Sequence, residues 1–408
     1  MSTGVGGSTP EQELAKLVDM TRDVTAVDAA EFKTRQQNAQ ALMQELGIDA
    51  LYLNAGTNLY YFSGLRWYAS ERMVGAILPC RGELEYLAPA FELDTLKGFM
   101  LQPGQVNTWH EHQSPYALCR NVLERMGCLR PGAVLAIDES APFFLFDGLR
   151  EACPELAFVN GAKISAQLRM HKSPAELRLI QRAMDMTLEV HKAAARILRP
   201  GISTAEVEDF IDKAHRAVGA NGSYFCIVLF GEDSAYPHGV KSPKMLAPGD
   251  TVLIDTGCQL HGYNSDITRT YVFGTPSERQ RQLWALEQAA QRAGFEAAAL
   301  GAPCSGVDKA ARAVLEAAGF GPGYQLPGLP HRTGHGIGLD IHEWPYLVDG
   351  DNTPLAVGMC FSNEPMLCVP GEFGVRHEDH FYMTAEGPRW FTQPAKSIDD
   401  PFAQGDKL

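Results

Sequence analysis

Leu246-Ala247-Pro248-Gly249-Asp250-Thr251-Val252-Leu253-Ile254-Asp255 and Leu355-Ala356-Val357-Gly358-Met359-Cys360-Phe361-Ser362-Asn363-Glu364 follow one pattern, 109 residues apart. Each runs Leu-Ala-x-Gly, then five residues of strand character, then a carboxylate. A pair of helical periodicities precedes each copy, over 174–219 and 278–319. One short match is weak. The same order of helix, helix, strand and carboxylate twice over marks a duplicated half-domain. Two such halves facing each other bring their acidic strand ends together.

Outward from the first copy, Thr251–Gly257 and Ser265–Phe273 read as strands joined through Gln259-Leu260-His261-Gly262. Folding that hairpin about Leu260-His261 sets Asp255 directly opposite Asp266. Directly opposed like charges cost up to about 1 kcal/mol in an ordinary sheet, and more when buried unless a cation sits between them. Aspartates on hairpins usually face solvent, so the pair gains meaning only from its company. Glu364 closes the second copy, and Arg376-His377-Glu378-Asp379 lies in the strand-like run Gly374–Thr384. Alternation puts Arg376 and Glu378 on one face, His377 and Asp379 on the other. Four carboxylates, two per half, suit hard or borderline divalent ions, and two ions about 3.5–4 Å apart need carboxylates that bridge.

Seven of the twelve histidines fall between residues 238 and 380, in the same region as the carboxylates. His335 sits among Gly334, Gly336 and Gly338, where the backbone can approach a site closely. His331 and His342 flank it. His342-Glu343-x-Pro345 is not H-E-x-x-H, and the glycines argue against a helical zinc site. His261, His377 and His380 read as structural or surface groups.

A length of 408 residues calls for two domains. Residues 1–20 are Gly/Ser/Thr-rich and read as a disordered lead without the apolar stretch of a signal peptide. Residues 21–165 read as one α/β domain: a helix over Ala29–Leu46 ended at Gly47, a strand at Ala50–Leu53, a hairpin over Met73–Leu87, and strands at Ala133–Ile137 and Ala157–Val159. The second domain spans 172–396. It opens on a capping box, Ser173 with Glu176 around Pro174, and a second box, Ser203 with Glu206, starts its next helix. A net charge of -14 leaves no basic footprint for nucleic acid. No run is apolar enough to span a membrane. The nine cysteines show no C-x-x-C pair, which reads as buried free thiols in a reducing, cytoplasmic setting.

At this point a resemblance enters. Pro237-His238-Gly239, the pair Asp255 and Asp266, Gly334-His335-Gly336-Ile337-Gly338, His342-Glu343-x-Pro345, Asn363-Glu364-Pro365 and Arg376-x-Glu378-Asp379 resemble, in order and spacing, the creatinase/aminopeptidase clan, specifically the Xaa-Pro dipeptidases (prolidases) and aminopeptidase P. The resemblance implies a creatinase-like N-terminal α/β domain followed by a pita-bread α+β domain with an internal pseudo-twofold. It implies two divalent ions, manganese first and zinc or cobalt as substitutes, held by Asp255, Asp266, His335, Glu364 and Glu378. Asp266 and Glu378 bridge the ions, and a hydroxide held between them attacks the bond before proline. Glu364 takes the water proton. His238, His331 and His342 handle the substrate carbonyl and the tetrahedral intermediate, and Arg376 holds a site carboxylate or touches substrate. The expected substrate is a small peptide with proline in second position, and the expected assembly is a homodimer in which Trp67 or Tyr68 reaches a neighbouring site. Alternatives on the same fold are aminopeptidase P acting on longer peptides, a metal-free amidinohydrolase, and a binding module that has lost its ligands. Two features depart from the family pattern. Cys368 stands where many members have a tyrosine after Glu-Pro-Gly, and 344–352 lacks the arginine that reads a dipeptide's free carboxylate in many dipeptidases.

Overall fold

The computed structural model describes residues 3–402. It divides into two compact units, Val27–Arg169 and Met1–Ala26 with Met170–Leu408.

In Val27–Arg169 a six-stranded mixed sheet runs, edge to edge, Val106–Trp109, Glu85–Pro89, Gly75–Pro79, Ala50–Asn54, Val134–Ile137 and Ala157–Asn160. Its Ala50–Asn54 strand is buried along its whole length, antiparallel to one neighbour and parallel to the other. Near-continuous apolar sequence is what a strand covered on both faces requires. Asp28 caps the Ala29–Leu46 helix, and Gly47 ends it in the left-handed region at φ 68°, the standard use of glycine there.

The other unit carries a correction at its start. The lead expected to lack structure forms a helix, Pro10–Leu14, with a Thr9/Gln12 capping box. Its Glu13 is fully buried and accepts from Arg196 Nε at 2.5 Å. That ion pair anchors a segment whose composition alone looked unstructured.

Both capping boxes form, and helices run over Pro174–Arg196 and Thr204–Ala217. The second helical pair is Glu278–Ala297 and Cys304–Ala317. Each half then contributes a sheet: three strands with Thr251–Gly257 at the centre, and five with Cys360–Asn363 at the centre. Gly249 and Gly358 turn into these central strands at φ 91° and 87°. Leu246 and Leu355 are each 2% exposed. The two copies thus enter their sheets by the same turn, anchored by the same buried leucine.

The hairpin register differs from expectation. Asp255 pairs with Thr268, and Leu260 pairs with Tyr263. The turn is centred on His261-Gly262, at φ 50° and 90°, the positive-φ pair of a two-residue hairpin. This shifts the register so that Asp266, two residues before Thr268, is a diagonal neighbour of Asp255 on the same face rather than its direct opposite. The run Gly374–Thr384 also splits. Phe373–Arg376 pairs with Met366–Val369, whereas Asp379–Thr384 joins the five-stranded sheet. Glu378 lies at the crossing, bridged to Thr268 of the other half. Among the described residues no helix is long and apolar enough to cross a membrane, and all nine cysteines are free.

Candidate metal centre

The halves meet at a cavity of about 580 Å³, lined by all nine residues singled out from sequence: His238, Asp255, Asp266, His331, His335, His342, Glu364, Arg376 and Glu378. Asp255 comes from the central strand of the first half, and Asp266 immediately precedes the next strand. His335 sits in Gly334–Gly336, Glu364 directly follows Cys360–Asn363, and Glu378 marks the crossing. The glycines around His335 are required by space. A Cβ at Gly334 would lie 2.1 Å from the Ser362 carbonyl oxygen, and one at Gly336 would lie 2.6 Å from that of Glu343.

Three of the four carboxylates are held from behind. Arg376 Nη2 donates to Asp255 Oδ2 at 2.6 Å, and Thr268 Oγ1 donates to Glu378 Oε2 at 2.6 Å. Ser362 Oγ donates to Glu364 Oε1 at 3.1 Å while accepting the His335 backbone N–H at 2.9 Å. His335 Nδ1 lies 2.9 Å from the Gly336 carbonyl, which places the proton on Nδ1. Its Nε2 is left facing Glu364 at 3.1 Å and Asp266 at 3.7 Å. Fixing a ligating histidine through its other nitrogen is how proteins orient such groups. The opposite oxygens are bare: Asp255 Oδ1, Asp266 Oδ1 and Glu378 Oε1 are buried without a hydrogen-bond partner among the described residues.

Bare buried oxygens on neighbouring carboxylates are costly. Burial, reinforced by the charges of Glu378, Asp255 and Glu364, pushes Asp266 well above the ordinary carboxylate range. Burial and the charges of Glu364 and Asp255 do the same to Glu378. Asp255 is raised by burial, with Arg376 opposing. Burial also works against ionisation of Glu364, but His335, His331 and Arg376 together outweigh it and hold Glu364 low. A divalent cation relieves this repulsion and supplies partners for the bare atoms. The donor set therefore fits metal.

Among the described residues, Asp266, His335, Glu378 and His380 present ligand atoms all within 4.8 Å of one another. His380 was assigned a structural role from sequence. Instead it is fully buried at the site, with both ring nitrogens unpartnered. The alternation that pairs Arg376 with Glu378 extends to His380, and that signal was available. His377 lies on the far face against Trp284 at 4.3 Å and Glu287 at 3.2 Å, and His261 sits in the turn.

The remaining histidines differ in setting. His342 packs edge-on to His335 at 4.2 Å, and burial, with His335 and Arg332 nearby, lowers its pKa to about 4. His331 is lowered by burial, and its Nε2 is buried and bare. His238 is exposed at the cavity edge. The guanidinium of Arg376 is committed to Asp255, Thr268 and the Pro237 carbonyl. Cys368 is fully buried and pairs with Gly374. It belongs to the apolar core and not to the cavity lining.

Residues 178–385 match the model of metallopeptidase family M24, and 35–171 match the creatinase/prolidase N-terminal domain. The chain belongs to family M24. Members similar to it include the probable dipeptidase PepE of Mycobacterium tuberculosis, 35% identical over 88% of this chain and 94% of that one. The Xaa-Pro dipeptidase of Pyrococcus furiosus is 30% identical over 90% of this chain and 99% of its own. Among solved structures, dipeptidase PepE from Mycobacterium ulcerans superposes with a TM-score of 0.84 at 34% identity, covering 90% and 97% of the two chains. As an M24 member the protein is a metallopeptidase, with the creatinase-type N-terminal domain and the M24 catalytic fold that the motifs implied.

Proposed function

We propose that the enzyme is an Xaa-Pro dipeptidase working with two divalent ions, manganese first. The observation that supports this reading is the set of four clustered carboxylates with His335, three of them with buried oxygens left bare. Four carboxylates and one imidazole suit manganese, with zinc and cobalt as substitutes. Asp266 and Glu378 would serve both ions, Asp255 one of them, and His335 with Glu364 the other. When bound, the ions lower the pKa of a water enough for it to act as nucleophile near neutral pH.

The chain's own residues do the rest. Glu364 accepts the water proton. His342 is neutral at pH 7 because burial lowers its pKa to about 4, so one ring N–H is available to the scissile carbonyl oxygen. His331 Nε2 and His238 face the same space and share in stabilising charge on that oxygen. Arg376 favours the ionised form of Asp255 and orients it. Proline on the leaving side fits because an Xaa-Pro bond has no N–H, and a site that grips carbonyl and amine needs none. Dipeptidase names among relatives at 30–35% identity point the same way. Nine free cysteines agree with a reducing, cytoplasmic setting. Tyr68, 94% exposed, is available for the homodimer contact.

The test is a panel of Xaa-Pro dipeptides, Xaa-Pro-Xaa tripeptides and non-proline dipeptides, with bound metal measured in parallel. Two ions per chain and a preference for Xaa-Pro dipeptides are expected. Preference for the tripeptides moves the enzyme to aminopeptidase P, and full activity of metal-stripped protein overturns the metal reading.

A further inference from the structure

The same cavity is lined by a residue that none of these roles uses. Arg332 is half-buried and leads into the Gly334–Gly336 strand. Its guanidinium carbon lies 4.3 Å from the centroid of the Tyr346 ring. Tyr346 is itself placed by pairing with His335 across the strands, and its backbone N–H donates to Asp351 Oδ2 at 3.0 Å. Stacking on an aromatic face restrains a guanidinium while leaving its N–H edge available.

Among the described residues no carboxylate lies within ion-pairing distance of Arg332. The cavity's other guanidinium, on Arg376, faces Asp255 at 2.6 Å. Of the two guanidinium groups that line the cavity, Arg376 is therefore already paired with a site carboxylate, and Arg332 is the one with no ion pair among the described residues. The stretch after Pro345 contains no arginine through Asn352, and Arg332 reaches that stretch from the neighbouring strand. A peptide offers such a site one obligatory anion, its C-terminal carboxylate, and the planar fork of arginine matches a carboxylate in two parallel hydrogen bonds.

We infer that Arg332, stacked on Tyr346, binds the free C-terminal carboxylate of a dipeptide, so that the site selects substrates ending one residue beyond the scissile bond. The inference rests on the peptidase reading above. A longer peptide places a neutral amide where the carboxylate would sit and leaves the guanidinium without its partner. Tyr346 is a positioning residue in this arrangement.

The experiment uses the full chain loaded with manganese and compares Ala-Pro with Ala-Pro-amide, wild type against Arg332→Gln, Arg332→Lys and Tyr346→Ala. Arg332→Gln raises KM for Ala-Pro roughly 10–100-fold, the effect of a charge-assisted hydrogen bond, with kcat within about threefold. It leaves the amide unchanged, so the acid-over-amide preference collapses. Arg332→Lys keeps part of the preference, and Tyr346→Ala raises KM more than it lowers kcat. Calorimetry with proline and prolinamide reads the same contact without turnover: wild type binds proline more tightly, and Arg332→Gln binds both alike. Equal binding of the two by wild type, or a preference that survives Arg332→Gln, overturns the inference and leaves the Xaa-Pro reading standing. If wild type cleaves no Xaa-Pro bond yet still favours proline over prolinamide, that reading fails and the role of Arg332 stands.

Discussion

Arg269 is fully buried and ties the two halves together. Its Nη2 donates to Asp379 Oδ1 at 2.7 Å, and its Nη1 donates to the Glu378 carbonyl at 2.9 Å. Changing Arg269→Met keeps the volume and strands a buried carboxylate. Breaking a buried pair from one side costs about 3–5 kcal/mol. The lower end applies here, because Asp379 retains Thr392 Oγ1 at 2.6 Å and Gln291 Nε2 at 3.3 Å as neutral donors. A loss of about 3 kcal/mol at roughly 2–4 °C per kcal/mol lowers the melting temperature of the catalytic unit by about 6–12 °C. Because the same side chain fixes the backbone of Glu378, manganese affinity falls as well, by about 10–100-fold, the usual effect of losing a group that orients a ligand. Calorimetric melting of metal-free protein and manganese titration check the two effects separately. Adding Asp379→Asn removes the stranded charge and restores at least half of the lost stability. A melting shift below about 2 °C, or no rescue in the double variant, would refute the reasoning.

Other outcomes follow from the same geometry. His335→Ala and His380→Ala each reduce bound metal in elemental analysis, whereas His238→Ala and His342→Ala keep both ions and lose turnover by about 10²–10³-fold; metal loss in His342→Ala would reverse the role assignment. Burial raises Asp266 and Glu378 in the metal-free protein, so protons compete with the ion for these oxygens more strongly than at ordinary carboxylates. Manganese affinity therefore rises with pH, and titrations in buffers of different ionisation heat register proton release; affinity that does not rise with pH, or binding that releases no proton, would contradict this. Cys368→Ala changes kcat by less than about tenfold, or ~1.4 kcal/mol, because burial pushes that thiol up to about 12 and it lies in the core. A thousandfold loss with metal retained would assign it chemistry.

Much of the site was legible because its residues sit at strand ends whose pattern repeats. Leu-Ala-x-Gly identified the equivalent strands, and alternation placed Arg376 and Glu378 together. What failed was register and tertiary anchoring. The turn at His261-Gly262 needs two consecutive positive-φ residues, and a histidine is an unusual occupant of the first, so the hairpin was centred one residue early. The lead read as disordered because the partner that anchors its Glu13, Arg196, is remote in sequence. His380 was set aside on the ordinary behaviour of lone histidines, though it shares the face of Glu378. Arg332 carries no local signal at all, since its place depends on the pairing of His335 with Tyr346.

Asp255 and Asp266 belong to one half, while His335, Glu364 and Glu378 belong to the other. On the proposed ligand set, an ion gripped by both would be a rivet across the seam of the duplication. Neither half expressed alone would carry that full ligand set, and two copies of one half would have to associate before any ion had a complete cage. In the intact chain, such a rivet would make parting of the halves and release of the ion a single event. Chelation should therefore loosen the seam first, exposing the connection around 274–278 to proteases while the N-terminal unit stays resistant.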